Sequence, residues 1–262
     1  MKRNKALWGC VLAAALLLTG CGGSNGSSSG SGSMSGGMNS SSASGTAAYR
    51  TGLGVLTETS DDGNSGKVEL IAAAVTLDEN GRLADVQFDE LESVVTADGT
   101  GAVTLPTDDR TKRQKGDDYP LAAVSSLKKG WTEQADAFAK HLTGRTPEEV
   151  EAIKTDADGK ATDADLLSGC TIAVDRYRDA VVEACTNAKA MGAAKGDRVS
   201  VYVEAMRDAS SDTATDDRDA TVTLNVKAEA RTHDADAKLS SSVKEERTFT
   251  WTISADGGVT VE

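Results

Sequence analysis

The chain has 262 residues, of which 26% are charged and only 4% are aromatic, and its formal net charge is −13 at pH 7. An acidic surface repels the phosphate backbone of nucleic acids and the headgroups of anionic lipids, which disfavours both as partners of the protein surface itself. The length is enough for one large domain or two small ones.

The first 21 residues predict export and lipid anchoring. A basic start, Met1–Lys5, precedes a short apolar run from Ala6 to Leu18, which is typical of a secretory signal peptide and too short to span a bilayer. The run ends in Leu18-Thr19-Gly20-Cys21, which resembles the lipobox of bacterial lipoproteins. The resemblance implies that residues 1–20 are removed and that Cys21 is lipidated. Removal of three basic residues then takes the net charge from −13 to about −16.

Residues 22–48 contain no charged residue and consist mainly of glycine and serine. Such a segment buries too little apolar surface to order itself, so residues 21–48 are predicted to be a tether. As a flexible coil it has a root-mean-square length of roughly 30 Å. We therefore expect the folded part to lie outside the cytoplasm, held at the cell membrane by lipid on Cys21.

The first part of the folded region predicts paired strands. Residues 49–57 and 68–77 are strand-like, and the second segment is so continuously apolar that both of its faces are expected to be buried. Asp78-Glu79-Asn80-Gly81 predicts a hairpin turn, with 82–88 returning as the partner strand. A second hairpin is expected where 93–97 and 102–105 flank Asp98–Gly101.

The middle of the chain predicts helices. A loop is expected over 107–119, followed by a helix with Trp131, Phe138 and Leu142 on its apolar face. Thr146-Pro147-Glu148-Glu149 has the pattern of a capping box with proline at the first helical position. Asp156–Gly159 resembles part of a calcium loop, but Lys154 stands where the first acidic ligand belongs, which favours a plain turn.

The clearest helical pattern runs from Arg176 to Met191, with Gly192 as its expected C-cap. The cysteines Cys170 and Cys185 are separated mostly by this helix, so their α-carbons lie too far apart for a disulfide. His141 and His233 are the only histidines, and no Cys/His cluster has the spacing of a metal site.

Residues 193–262 alternate apolar and polar side chains, which predicts an antiparallel sheet with one face in water. This β-rich region is either a separate sheet domain or a shortened second copy of the first one. The predicted fold class is therefore α+β: an antiparallel sheet with packed helices over 49–192, followed by the β-rich C-terminal region.

One stretch before the clearest helix resembles a cofactor-attachment motif. Asp165-Leu166-Leu167-Ser168-Gly169-Cys170-Thr171 is similar to the Asp-x-x-Ser/Thr-Gly-Ala-Ser/Thr motif of the FMN-binding domain family of exported bacterial flavoproteins. Asp165, Ser168, Gly169 and Thr171 match, whereas Cys170 replaces the usual alanine. Phe88–Glu92 stands where the family has a His-x-Glu-Thr stretch. The resemblance extends, in the order of its elements, over residues 49–192.

The resemblance implies that a flavin transferase links FMN through its phosphate to Thr171, and that the protein carries electrons received from membrane redox partners. It implies a carrier rather than an enzyme. Gly169 would let a bulky group approach the backbone, and a hydroxyl near a helix N-terminus favours a phosphate. The alternative from the residues alone is that Thr171 or Asp175 merely caps the following helix.

A group of clostridial-type secreted lipoproteins is also similar to this chain, through Tyr49–Gly54, Gly116–Tyr119 and Thr162–Leu166. Many of its members lack the glycine of the attachment motif, so the second hypothesis is a flavin-free envelope lipoprotein that binds a solute or a protein. Two histidines make a Ser-His-Asp or Cys-His hydrolase an unfavoured third, whereas a glycosidase with paired carboxylates stays open.

Overall fold

The computed structural model describes residues 48–262. The predicted signal peptide, the lipidation site Cys21 and the tether as far as residue 47 lie outside the described residues. Within 48–262, no helix is both long and apolar enough to cross a membrane.

The first sheet contains four antiparallel strands in chain order: β1 (Arg50–Asp62), β2 (Ser65–Leu77), β3 (Leu83–Ala97) and β4 (Val103–Thr104). The predicted Asp78–Gly81 turn joins β2 to β3. Its Asp78 carboxylate accepts hydrogen bonds from the backbone N–H groups of Asn80 and Arg82, both at 2.8 Å. Gly81 has φ +77°, the conformation that glycine adopts without steric cost.

The second sheet also has four antiparallel strands in chain order: β5 (Arg198–Ala209), β6 (Ala220–His233), β7 (Leu239–Ile253) and β8 (Val259–Val261). The predicted α+β class is thus confirmed, with two antiparallel sheets and several short helices. The likeness to the FMN-binding domain and the division of the chain at residue 193 stay predictions.

The second sheet repeats the first one in detail. β3 and β7 both have 15 residues, and Leu83 and Leu239, their first residues, are 156 positions apart (239 minus 83). The pairing register shifts once in each copy, just before this strand begins, between Thr76 and Leu77 and again between Thr232 and His233. The structure therefore favours the alternative of a second copy.

The turns are repeated as well. Asp234 takes the place of Asp78 and accepts hydrogen bonds from the N–H groups of Asp236 and Lys238 at 3.0 and 2.9 Å. Ala237 takes the place of Gly81 and keeps a positive φ of +60°. The copies also exchange equivalent contacts, since the Val103 N–H donates to Asp212 O and the Val259 N–H donates to Gly63 O, both at 2.8 Å.

The two sheets pack face to face around one apolar core, and the helices cover the other face of the first sheet. β2 lies between these layers. Its Val68, Leu70, Ala72 and Ala74 face the second sheet, and the alternating set Ile71, Ala73, Val75 and Leu77 faces the helices. The prediction that β2 is buried on both faces is confirmed.

The helical region contains α1 (Lys112–Lys115), α2 (Leu121–Val124), α3 (Trp131–Leu142), α4 (Pro147–Glu151), α5 (Ala164–Leu167) and α6 (Asp175–Thr186). The predicted capping box of α4 is present: the Thr146 hydroxyl accepts from Glu149 N–H, and the Glu149 carboxylate accepts from Thr146 N–H. Asp156–Gly159 forms a turn in which Asp156 accepts from the N–H groups of Asp158 and Lys160.

Two helical predictions are wrong in part. The predicted loop 107–119 contains α1, because Thr111 and Gln114 form a capping box. The charged and polar composition of the segment predicts a loop and gives no sign of this helix. The helix predicted to reach Met191 ends at Thr186, with Asn187 rather than Gly192 as its C-cap. It ends there because Lys189 exchanges two backbone hydrogen bonds of 3.0 Å with Thr51 of β1, which draws the chain out of the helical path.

Gly52 and Gly54 let α6 lie directly on β1. A β-carbon at Gly52 would overlap the carbonyl oxygen of Ala184, and one at Gly54 would overlap that of Ala180. No side chain fits between these backbones, which gives a structural reason for the Tyr49–Gly54 motif.

The outer faces of the two sheets differ in chemistry at equivalent positions. Ile71, Ala73 and Val75 pack against the helices, and the residues 156 positions later are Lys227, Glu229 and Arg231. At these positions each copy therefore matches its surroundings: the covered outer face is apolar, and the outer face of the second sheet is charged. The predicted wet face of the C-terminal sheet is confirmed.

We predict that Gly54→Ala lowers the free energy of unfolding by about 1–3 kcal/mol or more, because the added methyl group forces α6 away from β1. Gly99→Ala is the matched control, since no atom lies within 4 Å of the position of its β-carbon. Urea unfolding followed by circular dichroism measures both variants. Equal stability of the two would contradict the close approach of helix and strand.

Candidate functional site

A cavity of about 320 Å³ lies between the outer face of the first sheet and the helices. We call it the Glu90 pocket. Strands β1–β3 supply its floor, α1, α2 and α3 one wall, and α6 with the residues before it the opposite wall. Its lining residues are Glu58, Glu69, Ile71, Glu90, Lys112, Tyr119, Leu121, Trp131, Ile172, Ala173, Asp175, Arg176 and Tyr177.

A buried carboxylate stands at the floor of the pocket. Glu90 of β3 is 4% exposed, and its two oxygens have different partners. One is 2.8 Å from the Lys112 ammonium, and the other accepts a hydrogen bond from the Tyr177 hydroxyl. That hydroxyl in turn accepts from the Trp131 indole N–H at 3.1 Å. Four separate elements therefore meet in one hydrogen-bonded cluster.

Helix α1 holds Lys112 above Glu90 through the neighbouring residue of β3. The Asp89 carboxylate accepts hydrogen bonds from the Thr111 hydroxyl at 2.7 Å and from the Arg113 N–H at 3.2 Å. The Arg113 guanidinium also donates to Phe88 O at 2.8 Å. This docking fixes α1 on β3, so the position of Lys112 depends on Asp89.

The electrostatics of the cluster favour a charged Lys112 beside a neutral Tyr177 phenol. Burial alone would lower the pKa of Lys112, but the Glu90 carboxylate outweighs it and the pKa is raised. Burial, followed by the adjacent Glu90 charge, raises the pKa of Tyr177 well above its usual value. Lys112 therefore stays an ammonium and Tyr177 stays protonated at neutral pH, so Tyr177 is a hydrogen-bond donor.

Aromatic contacts hold the walls in place. The Phe88 ring stacks on Phe138 and meets Tyr177 edge-on, with both centroid distances 5.5 Å. The Lys112 ammonium lies 5.1 Å from the centroid of Tyr119. Because the rings come from β3, α3 and α6, they fix the separation of the walls.

Arg176 stands at the rim of the pocket with part of its guanidinium uncommitted. Its Nη1 atom contacts Glu58 at 3.0 Å and Glu69 at 3.1 Å. Among the described residues, its Nε and Nη2 atoms have no hydrogen-bond acceptor. The side chain is 28% exposed and lines the pocket.

Three carboxylates near the pocket approach one another, and each of them contacts a lysine. Oxygens of Glu69, Glu90 and Glu92 lie within 4.8 Å of one another. Lys67 is 2.7 Å from Glu69 and 3.8 Å from Glu92, and Lys112 forms an ion pair with Glu90. These contacts are those of an ion-pair network and give the cluster a structural explanation.

The predicted attachment motif begins on α5 and continues into the loop before α6, beside this pocket. Asp165 is exposed on α5, and the Ser168 hydroxyl donates to its carbonyl oxygen at 2.7 Å. A β-carbon at Gly169 would lie 3.1 Å from the Ala137 methyl, so this glycine makes room for α3. The motif's Cys170 and the later Cys185 are both free and buried, and burial raises the pKa of their thiols to about 11 and about 12.

Thr171 is half-buried and is held by Gln134 of α3. The Gln134 side-chain oxygen accepts from the Thr171 N–H at 2.9 Å and from its hydroxyl at 3.1 Å. Gln134 is fully buried, and its amide group donates to Ser125 and to Lys129 O, both at 3.0 Å. Neither Thr171 nor Asp175 is the N-cap of α6; that position is Val174.

The motif residues fit FMN attachment in one respect and not in another. Thr171 is half-buried, and the next residue, Ile172, lines the pocket. However, none of the hydrogen bonds and ion pairs of Asp165–Thr171 involves a lysine or arginine side chain, so no cation is held against the motif to pair with a phosphate.

The most distinctive site residues were not predicted as a group. Trp131 lies in the core, as its place on the apolar face of a helix predicts, and Tyr177 lies on the buried face of α6, but no sequence pattern predicts their meeting with Lys112 and Glu90. Phe88–Glu92 was singled out only as the place of a missing family motif. The one sequence signal available was an acidic pair, Asp89-Glu90, inside a strand that is otherwise largely buried.

We predict that Tyr177→Phe lowers the free energy of unfolding by about 1–3 kcal/mol, because Glu90 loses a donor and Trp131 loses an acceptor inside the protein. Tyr202→Phe is the control: Tyr202 is 42% exposed on the second sheet. Urea unfolding of both variants measures the difference. A Tyr177→Phe variant as stable as its control would show that this cluster contributes no stability.

Comparisons with protein-family models, with curated proteins and with solved structures find no match for this chain. The resemblance to the FMN-binding domain family stays a prediction.

Proposed function

We propose that this protein is a lipid-anchored, extracytoplasmic binding protein that holds a small organic solute in the Glu90 pocket. The observation that carries the proposal is the pocket's construction. Charged and aromatic side chains from α1, α3, α6 and β3 converge on a cavity of about 320 Å³. Small-molecule sites combine an apolar lining with a few fixed polar groups in this way.

The lining supports binding rather than a reaction on the solute. Ile71, Leu121 and Ile172 offer apolar contact, and Arg176 offers uncommitted donors at the rim. Glu90 already has two partners, and Tyr177 keeps its proton. Neither group is placed as a free base or nucleophile, so the proposed role is binding without catalysis.

The proposed location rests on the sequence. Lipid on Cys21 anchors the chain at the outer face of the cell membrane, and the tether separates the folded part from the bilayer. The acidic protein surface does not attract anionic lipids, so the membrane is a partner through the anchor alone. Nucleic acid is not a proposed partner.

A screen of small organic solutes by thermal denaturation tests the pocket. We expect at least one class to raise the Tm of the wild-type protein and of Ala235→Phe, but not that of Ala173→Phe. Ala173 is exposed and lines the pocket, so a phenyl group there obstructs it. Ala235 is exposed in the β6–β7 turn and serves as the control. A solute that stabilises all three proteins equally does not bind in the pocket, and a panel without any binder refutes the proposal.

A second candidate is the electron carrier, with FMN attached covalently to Thr171 by a flavin transferase and with membrane redox partners. The position of Thr171 favours it, since this residue is only half-buried and precedes Ile172 in a wall of the pocket. Asp165, Ser168 and Gly169 would then position the loop. FMN, when bound, would supply the redox chemistry.

Intact mass of the protein produced with an active flavin transferase tests this candidate and the anchor together. Attachment predicts a gain of one FMN minus water that is lost in Thr171→Ala and kept in Thr186→Ala, a control on the exposed end of α6. Lipidation predicts a separate gain of acyl groups and diacylglycerol that is lost in Cys21→Ser. No flavin mass, with the transferase active on another substrate, rejects the electron carrier. No lipid mass rejects the anchor.

A further inference from the structure

We infer that the solute of the Glu90 pocket is a small zwitterion of the amino-acid class with an apolar side chain. This inference rests on the proposed solute-binding function and names the ligand of the same site. It follows from three features of the lining: an arginine with free donors, an excess of carboxylates beside it, and an apolar interior.

The arginine supplies a site for a carboxylate. Arg176 uses only Nη1 for its two glutamate contacts, at 3.0 and 3.1 Å. The Nε and Nη2 hydrogens form the remaining fork of the planar guanidinium, a geometry that matches the two oxygens of a carboxylate. The pairing of Lys112 with Glu90 leaves Arg176 as the lining cation best placed to receive an anion.

The surroundings of Arg176 oppose a ligand that carries only negative charge. Glu58, Glu69 and Asp175 also line the pocket, and Arg176 compensates only one of these three charges. Lys67 pairs with Glu69 at 2.7 Å, which leaves the rim with a net negative charge. A ligand that brings an ammonium group together with its carboxylate adds no net negative charge to this rim, and its ammonium can pair with one of these carboxylates.

Glu58 is the acceptor best placed for that ammonium. It lies on β1 and contacts Arg176 through one oxygen, Oε2, at 3.0 Å. Its other oxygen has no hydrogen-bond donor among the described residues. The Nε/Nη2 fork of Arg176, which would bind a carboxylate, therefore lies next to the free oxygen of Glu58. The carboxylate and the ammonium of an α-amino acid are neighbours in the same way.

The rest of the pocket suits a short apolar side chain. Ile71, Leu121, Ile172 and the Trp131 ring are the apolar part of the lining, beside the Glu90–Lys112 pair at the floor and Arg176 at the rim. The volume of about 320 Å³ is at the small end of ligand pockets, which span about 300–1,000 Å³. This size favours a single amino acid over a long peptide.

Isothermal titration calorimetry with L-leucine and two analogues tests the inference on the purified full chain, produced without a flavin transferase. 4-Methylpentanoate keeps the carboxylate and lacks the ammonium, whereas isopentylamine keeps the ammonium and lacks the carboxylate. We expect leucine to bind with one-to-one stoichiometry and each analogue to bind at least about tenfold more weakly, since each loses one charge-assisted interaction.

Two variants separate the two ends of the ligand. Arg176→Lys keeps the charge beside Glu58 and Glu69 but removes the fork. It should weaken the binding of leucine and of 4-methylpentanoate about tenfold and leave the binding of isopentylamine unchanged. Glu58→Gln should weaken the binding of leucine and of isopentylamine but not that of 4-methylpentanoate. Arg218→Lys, in the β5–β6 loop, is the control and should bind leucine like the wild type.

The outcomes distinguish this inference from the broader proposal. Leucine binding that is equal in Arg176→Lys and in Arg218→Lys overturns the assigned site, and an analogue that binds as well as leucine overturns the zwitterion. If none of the three compounds binds but another solute stabilises the protein in a way that Ala173→Phe abolishes, the inference fails and the binding function stands. If no solute binds, both fail.

Discussion

The burial of β2 on both faces is the constraint on which the rest of the structure depends. A strand presents alternate side chains to opposite sides, so a strand between two layers must be apolar at successive positions. Leu70, Ile71, Ala72 and Ala73 meet this requirement and divide between the two cores. The second sheet covers one face and the helices the other, and each layer adds to the burial of the same strand.

The duplication explains where the pocket lies. Both copies have the same strand order, the same register shift and the same turn, yet the helical segment between β4 and β5 covers only the first copy. Glu246 stands 156 positions after Glu90 and is exposed on the bare outer face of the second sheet. In the first sheet the equivalent carboxylate is enclosed by helices that bring Lys112, Trp131 and Tyr177. The pocket thus exists because the helical layer covers the first sheet and not the second.

Local chemistry made much of the fold predictable from the sequence. The Asn80-Gly81 turn, the Thr146–Glu149 capping box and the alternation after Val199 all act over a few residues, and the structure contains each of them. The end of α6 was predicted too late because it depends on a pairing of Lys189 with Thr51, which lies far away in sequence. The pocket was missed for the same reason, since its residues span Glu58 to Tyr177 and have no common spacing.

The chemistry of Glu90 is the strongest reason to treat the pocket as more than a gap in packing. A buried ion pair contributes little net stability, and apolar side chains of similar size often replace one without loss. Ile71 and Phe88, its neighbours on the same face, show that this face accepts apolar residues. A pair such as Glu90 and Lys112 therefore has no evident structural need at this position. The free-energy cost of desolvating the pair has an explanation if the pair orients the wall of a binding site. There, fixed charges act on a solute in a partly desolvated environment.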